Sequence, residues 1–265
     1  LYSYNKKTKK KKDLTGLANR DNIIYMAKDS SGRTVKVGNC VYYTVVSYGF
    51  SADGSVGLFE LNLKTGNERQ VTTSVAMPWR LRYGHEYGER NPILGVSGSD
   101  LYIQTASKLI KYNTKTKKTT TLMKNKNSNP LDSSMSIDNC VTANAGVDNI
   151  KEWDILGIRC CGKKLYLEVQ IKYNFSTPSS DSYQEYGNKY EVKNIMLSMN
   201  KKDGSNLVYE ADLSKFLASH DGENKDSDYD GINNWTNHTG SMMSVTSKGV
   251  WLAEFVNEKG NRSYF

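Results

Sequence analysis

The chain has 265 residues, of which 37% are hydrophobic, and carries 36 Lys+Arg against 28 Asp+Glu for a formal net charge of +8. That length is enough to bury a real core in one large domain or two small ones. No apolar run approaches the eighteen or so residues that a membrane-spanning helix requires, and 18 Tyr beside only 4 Pro favour half-buried pleated surfaces, hence β structure.

The first predicted element is a hairpin, "LYSYNKKT" (Leu1–Thr8), running into the basic stretch Asn5–Lys12. Such a run suits nucleic acid, teichoic acid or another anionic polymer. No Arg and aromatic residues interleave with it, so the reading adopted is a solvated hairpin whose lysines block edge pairing, and nucleic acid is not an expected partner. The hairpin pattern recurs as "LFELNLKT" (Leu58–Thr65), "LIKYNTKT" (Leu109–Thr116) and "MLSMNKKD" (Met196–Asp203). Asn at the strand end tolerates the left-handed region and bonds its own backbone, so each copy predicts a turn between two strands.

A second unit precedes each hairpin: "GNCVYYTVV" (Gly38–Val46), "GSDLYIQTA" (Gly98–Ala106), "GKKLYLEVQ" (Gly162–Gln170) and "SKGVWLAEF" (Ser247–Phe255). Short apolar runs, "TVKV", "ILGV", "DILGI" and "MMSV", come before these turns. Each module therefore reads strand, turn, strand, loop, strand, turn, strand, which is a four-stranded antiparallel meander and the blade of a β-propeller. The fold class expected is all-β: a single propeller domain over 1–265 with four to six blades, the number depending on whether "DNIIYMAK" (Asp21–Lys28) forms a degenerate blade and whether the ring is truncated. Insertions are expected at about 173–190 and 212–240, with "DLSKFLAS" from Asp212 predicted as one short helix.

The pattern G-x-x-[LV]-Y followed by [LI]-x-x-[YLM]-N-x-K-[TD] resembles propeller repeats of bacterial surface proteins from Gram-positive gut anaerobes. Those repeats are of unknown function and similar to the YWTD propeller of lipoprotein receptors. The residues that carry it are Gly38–Tyr42 with Leu58–Thr65, Gly98–Tyr102 with Leu109–Thr116, and Gly162–Tyr166 with Met196–Asp203. The resemblance implies an extracellular or surface-attached, non-catalytic protein that binds a glycan, peptide or protein, or serves as a scaffold. The YWTD signature itself is absent. The chain starts at Leu1 with no signal peptide or lipobox in view, from which nothing follows about its native ends.

Two stretches carry candidate sites. In "KDSDYDGINNW" (Lys225–Trp235), Asp226, Asp228, Asp230, Ile232, Asn234 and Asn237 occupy positions 1, 3, 5, 7, 9 and 12 of an EF-hand-type loop, with Gly231 at the turn position. Asn237 cannot supply the bidentate carboxylate wanted at position 12. The stretch is thus either a structural calcium loop or a hydrated Asx-rich loop. In "MPWRLRYGHEYGERNP" (Met77–Pro92), Trp79, Arg80, Arg82, Tyr83, His85 and Tyr87 are types enriched in binding hot spots, on a connection between two modules. The other reading of that stretch is a loop packed on its own aromatics.

Catalytic motifs are thin. "HEYGE" is not HExxH, and no GxSxG, P-loop or GxGxxG occurs. Glu86 with Glu89, or Glu152 with Asp154, offers a carboxylate pair for a propeller glycoside hydrolase or polysaccharide lyase, the alternative activity. His220 beside Asp221 lacks a placed serine. An enzyme is not expected, and no cofactor beyond calcium. Cys40, Cys140, Cys160 and Cys161 show no metal-binding spacing; a bridge from Cys40 or Cys140 to one of the adjacent pair fits the count, with free buried thiols the expected state.

Overall fold

The computed structural model describes residues 2–13, 22–30, 32–47, 55–76, 91–105, 108–124, 137, 140–141, 144, 150–174, 183–185, 188–213, 244–245, 251–252, 254–256 and 262–264. Strands β1 (Tyr2–Tyr4) and β2 (Lys11–Asp13) form the N-terminal hairpin, and the lysines between them are exposed. Sheet one contains β3 (Asn22–Met26), β4 (Lys36–Val37), β5 (Cys40–Ser47), β6 (Ser55–Asn62) and β7 (Glu68–Thr72). Sheet two is the meander β8 (Leu94–Ser97), β9 (Asp100–Gln104), β10 (Lys108–Asn113) and β11 (Thr119–Lys124). Sheet three has β12 (Ile150–Cys161), β13 (Lys164–Asn174), β14 (Tyr183–Glu185), β15 (Asn188–Asn200) and β16 (Val208–Asp212). The hairpins β17 (Ser244–Val245) with β18 (Trp251–Leu252), and β19 (Glu254–Val256) with β20 (Arg262–Tyr264), follow.

The described architecture is all-β apart from Ile137, Cys140, Val141 and Asn144, which have helical backbone in the connection from β11 to β12. The segment Asp21–Lys28 is no separate module. Its strand β3 pairs with β5, on the same edge that β4 takes up at Lys36. The first strand of sheet one is therefore split, and residues 28–34 leave the sheet between its halves. Asp212 closes β16, and residues 214–219 of the predicted helix lie outside the described residues. Both ends of the segment 173–190 are ladder, since Tyr173 pairs with Glu191 and Asn174 with Tyr190, and β14 folds back on Asn188–Tyr190.

Local chemistry explains both kinds of turn. Gly38, Gly98 and Gly162 open two-residue hairpins with φ of 59°, 60° and 55°, while the residue after each has negative φ. That is the type II′ pattern, whose twist matches the flanking strands. The asparagine turns repeat equally closely. The Oδ1 of Asn5, Asn62 and Asn113 accepts from the N–H groups two and three residues on, at 2.9–3.2 Å, and Asn200 accepts from Lys202 at 3.0 Å. In all four, the backbone N–H of the asparagine closes the loop on the carbonyl five residues on. The residue before that closure is left-handed: Lys9, Gly66, Lys117 and Gly204 have φ of 57°, 77°, 61° and 78°.

The core follows from period-2 alternation. On β9, Leu101 and Ile103 face sheet one, where Tyr42, Leu58 and Val75 bury them; Tyr102 faces sheet three, among Ile158, Leu165 and Leu197. Each fully buried aliphatic side chain here contributes about 1.5–3 kcal/mol. Sheet two is thus covered on both faces, and its β8 runs beside β12. Gly95 on β8 allows that approach, because a Cβ there would lie 2.4 Å from the Ile158 Cγ2. The opposite face of sheet one holds a further cluster of Val41, Tyr43, Val45 and Leu61.

All four cysteines are free and partly buried. Burial pushes the Cys160 thiol up to about 12, so it is protonated and unreactive at neutral pH.

Candidate functional site

Topology divides the fold into two unlike ends. In each of the three sheets the residue after the turn asparagine donates its N–H to the glycine turn beside it: Leu63 to the Asn39 carbonyl at 2.8 Å, Thr114 to Ser99 at 2.8 Å and Lys201 to Lys163 at 3.0 Å. Both turns of every sheet therefore lie together, at what is here called the turn end. The three turn ends also touch one another. Lys117 of sheet two pairs with Glu60 of sheet one, and Lys201 of sheet three donates to the Ser97 hydroxyl of sheet two at 2.9 Å.

Antiparallel meanders then carry every longer connection to the opposite, loop end. The chain leaves the described structure there after Ala76 and returns at Asn91, and it leaves again after Leu213. Trp79, Arg80, Arg82, Tyr83, His85 and Tyr87 belong to the first of these connections. Asp226, Asp228, Asp230, Ile232, Asn234 and Asn237 belong to the second. Both sets lie outside the described residues, as do Glu86, Glu89, His220 and Asp221. Glu152 and Asp154 sit two apart in β12, opposite Lys172 and Gln170. Among the described residues, no three His, Cys, Asp or Glu gather to hold a metal ion, and no helix is long and apolar enough to cross a membrane.

The first strands of the three sheets meet at the loop formed by residues 28–34. Lys28 makes a parallel bridge with Ile93, donating to the Pro92 carbonyl and accepting from Leu94, both at 2.9 Å. Ser30, buried, both donates to the Ile158 carbonyl at 2.8 Å and accepts from the Ile158 N–H at 2.7 Å. The buried Gln104 of β9 accepts from the Ile155 N–H at 2.9 Å. A register shift between Ile155 and Gly157 opens β12 at this point, and among the described residues no strand pairs with its outer edge. Side chains from sheets one and two thus satisfy groups that a ladder would otherwise take, as buried backbone requires.

Charge collects around the same loop. Arg33 holds Asp29 with Nη2 and Nε at 3.0 and 3.2 Å from Oδ2, and its own N–H caps Oδ1 at 3.1 Å. Arg159, half-buried on β12, is lowered in pKa by burial, which the neighbouring Asp29 opposes and Arg33 reinforces. The Arg33 guanidinium is thus committed to Asp29, with Arg159 in electrostatic reach of both. Sequence reading missed this junction. The available signal was "KDSSGRT", a polar run with turn residues that interrupts two apolar stretches of one strand.

A second polar group sits between sheets one and two at the turn end. The Tyr42 hydroxyl donates to Glu60 Oε2 at 3.0 Å, and Lys117 contacts Oε1 while lying 5.9 Å over the Tyr112 ring. Burial raises the Tyr42 pKa, helped by the Glu60 charge. Burial alone would lower the Lys117 pKa, yet the Glu60 hydrogen bond and charge leave it raised. Lys117 is therefore protonated at neutral pH, and its contact with Glu60 joins the two sheets.

No family model matches the chain, and no curated protein matches it. Among solved structures it is similar to the extracellular domain of the hybrid two component system BT4673 from B. thetaiotaomicron, at 10% identity and a TM-score of 0.31. A second structure, described as the extracellular domain of the one component system BT4673, matches at 10% identity and a TM-score of 0.29. Each comparison covers 96% of this chain and 29% of the other.

Proposed function

We propose that the chain is a run of β-propeller blades that acts outside the cell and binds a glycan, peptide or protein ligand through its loop end, without catalysing a reaction. The observation that carries this reading is the asymmetry of the two ends. The glycine and asparagine turns of all three sheets lie at one end, and the residues flanking the long connections lie at the other, among them Ala76 and Asn91 on either side of the connection that holds Trp79, Arg80, Arg82, Tyr83, His85 and Tyr87. Propellers bind with such loops on a rigid frame. Stacked meander sheets whose first strands run side by side support the propeller part, and the repeat's resemblance to surface proteins supports export.

In the same reading, Asp226, Asp228, Asp230, Asn234, Asn237 and the Ile232 carbonyl hold a calcium ion that stiffens the connection after β16. The primary test is retention of the Trp79→Ala, Arg82→Ala and Tyr83→Ala variants on glycan and peptide arrays, with a thermal melt as the folding check. Lost retention with an unchanged melt supports the reading. Full retention moves the ligand elsewhere. For calcium, Asp228→Ala should lower the melting temperature only when calcium is present, and an equal effect in chelator rejects the ion.

A further inference from the structure

The turn end has a chemistry of its own. Lys36, Lys64, Lys115, Lys118, Lys163 and Lys202 are exposed there, on three sheets, and none has an ion-pair partner among the described residues. The carboxylates at the same end are engaged internally. Glu60 holds Lys117, Glu68 takes the Tyr43 hydroxyl, Asp100 accepts from Asn113 at 2.6 Å, and Glu210 takes Lys164 at 2.9 Å. Asp203 is bound to its own turn through the Ser205 hydroxyl at 2.7 Å. The surface potential of this end is therefore strongly positive.

The lysines are held in register. Asparagine caps and left-handed closures fix the turn backbones, and contacts from Lys117, Lys111 and Lys201 tie neighbouring turns together. Packed sheets lie about 10 Å apart, so positive charge recurs along the rim at about that interval. A row of spaced charges matches a linear polyanion better than a compact anion, which a single pocket would take. Neither kind of turn contains an arginine or an aromatic ring. Base stacking and forked phosphate contacts, the usual means of nucleic-acid recognition, therefore have no residues in the turns; Arg69, exposed on β7 opposite Glu60, is the arginine beside them. What lies between the lysines is Thr65, Asn67, Thr116 and Ser205, short hydroxyl and amide groups that suit a polyhydroxylated chain.

We infer that the turn end is a docking face for an acidic polysaccharide, separate from the loop-end ligand site and independent of it. The polymer lies across the rim of turns, its carboxylates or phosphates against lysines on successive sheets. Binding of this kind is electrostatic, fast and steeply salt-dependent.

The test uses the full chain and alginate as the probe, followed by biolayer interferometry at low salt, with neutral dextran and duplex DNA as comparators. The rim variant carries Lys64→Gln, Lys115→Gln, Lys118→Gln, Lys163→Gln and Lys202→Gln. A charge-matched control changes Lys6, Lys7, Lys9, Lys10 and Lys11 to Gln on the N-terminal hairpin. Alginate binding that weakens about tenfold or more in the rim variant and far less in the control supports the face, as does loss of binding on raising salt. Equal weakening in both variants, tighter binding of DNA than alginate at the same salt, or no alginate binding by the unmodified chain overturns it. The pair Lys64→Gln with Lys163→Gln, both on exposed turn positions, gives the same reading should the larger variant fold poorly.

Discussion

Gly66 and Gly204 occupy the same position of the asparagine turn with the same backbone, φ of 77° and 78°, but different surroundings. A Cβ on Gly66 would meet nothing within 4 Å, whereas a Cβ on Gly204 would lie 2.2 Å from the Leu122 carbonyl oxygen and 2.9 Å from its Cα. Alanine in the left-handed region costs roughly 1–2 kcal/mol, partly offset by about 0.4–1 kcal/mol from a stiffer unfolded chain. Gly66→Ala should therefore destabilise by about 1 kcal/mol. Gly204→Ala adds a collision with backbone of the neighbouring sheet, and forced overpacking costs typically about 1–3 kcal/mol more.

The two variants share substitution, turn type and φ, so their difference isolates how firmly the third sheet's turn is seated on β11. Urea unfolding of each against the unmodified chain measures it, with the slope of the transition checked for constancy. A gap of about 1–3 kcal/mol is expected, or a melting temperature lower by several degrees at about 2–4 °C per kcal/mol for a chain of this size. Equal destabilisation would mean that the sheets separate or shift to admit a methyl group without resistance. The inter-sheet contact described here would then be refuted.

Ser30→Ala leaves the Ile158 N–H and carbonyl buried without their partner, and should cost about 1–3 kcal/mol in the same urea assay, while Ser30→Thr keeps the hydroxyl and loses less. A double-mutant cycle of Glu60→Gln with Lys117→Met should return a coupling of about 0.5–3 kcal/mol; a value of zero would mean that the pair joins nothing. Glu210 is lowered below its ordinary value of 4.5 by the Ser198 hydroxyl first and Lys164 second, so it supports the fold above that pH and loses its contribution as acid protonates it. Carboxyl NMR titration should find it below 4.5, and Ser198→Ala should move it upward. Iodoacetamide should label native Cys160 far more slowly than the urea-unfolded chain, because burial keeps the thiol protonated.

Turn chemistry was legible in the sequence because it is local. The oxygen that caps each asparagine turn reaches two or three residues, so "YNKKT", "LNLKT", "YNTKT" and "MNKKD" announce one backbone whatever surrounds them. Meander order was legible for the same reason, since two-residue glycine turns leave the chain no choice but to fold straight back. The split first strand was not. Its halves both pair with β5, and the Asp29–Arg33 loop between them is held by Ser30 to a residue 128 positions away. Of the candidate site, residue types and the connections that carry them could be read. The approach of Arg159 to the Asp29–Arg33 ion pair could not, because it depends on how sheets one and three pack.

The residue opposite the repeat's tyrosine shows why consensus misses such contacts. In the ladder, Tyr42, Tyr102 and Tyr166 stand opposite Glu60, Lys111 and Ser198. Glu60 receives a lysine from the next sheet's turn, while Lys111 donates to the Lys202 carbonyl on the turn of the sheet after it. The task is the same, yet the charge is reversed. Ser198 is too short to reach across and bonds Glu210 on β16 of its own sheet instead. A geometric requirement, to hold the neighbouring turn, is thus met by an acid at one boundary and a base at the next. Any pattern that scores residue type at this position reports noise. The rings of Tyr42 and Tyr102 fill the space between sheets, where volume counts and sign does not, while the half-buried Tyr166 ring carries Lys164 over its face.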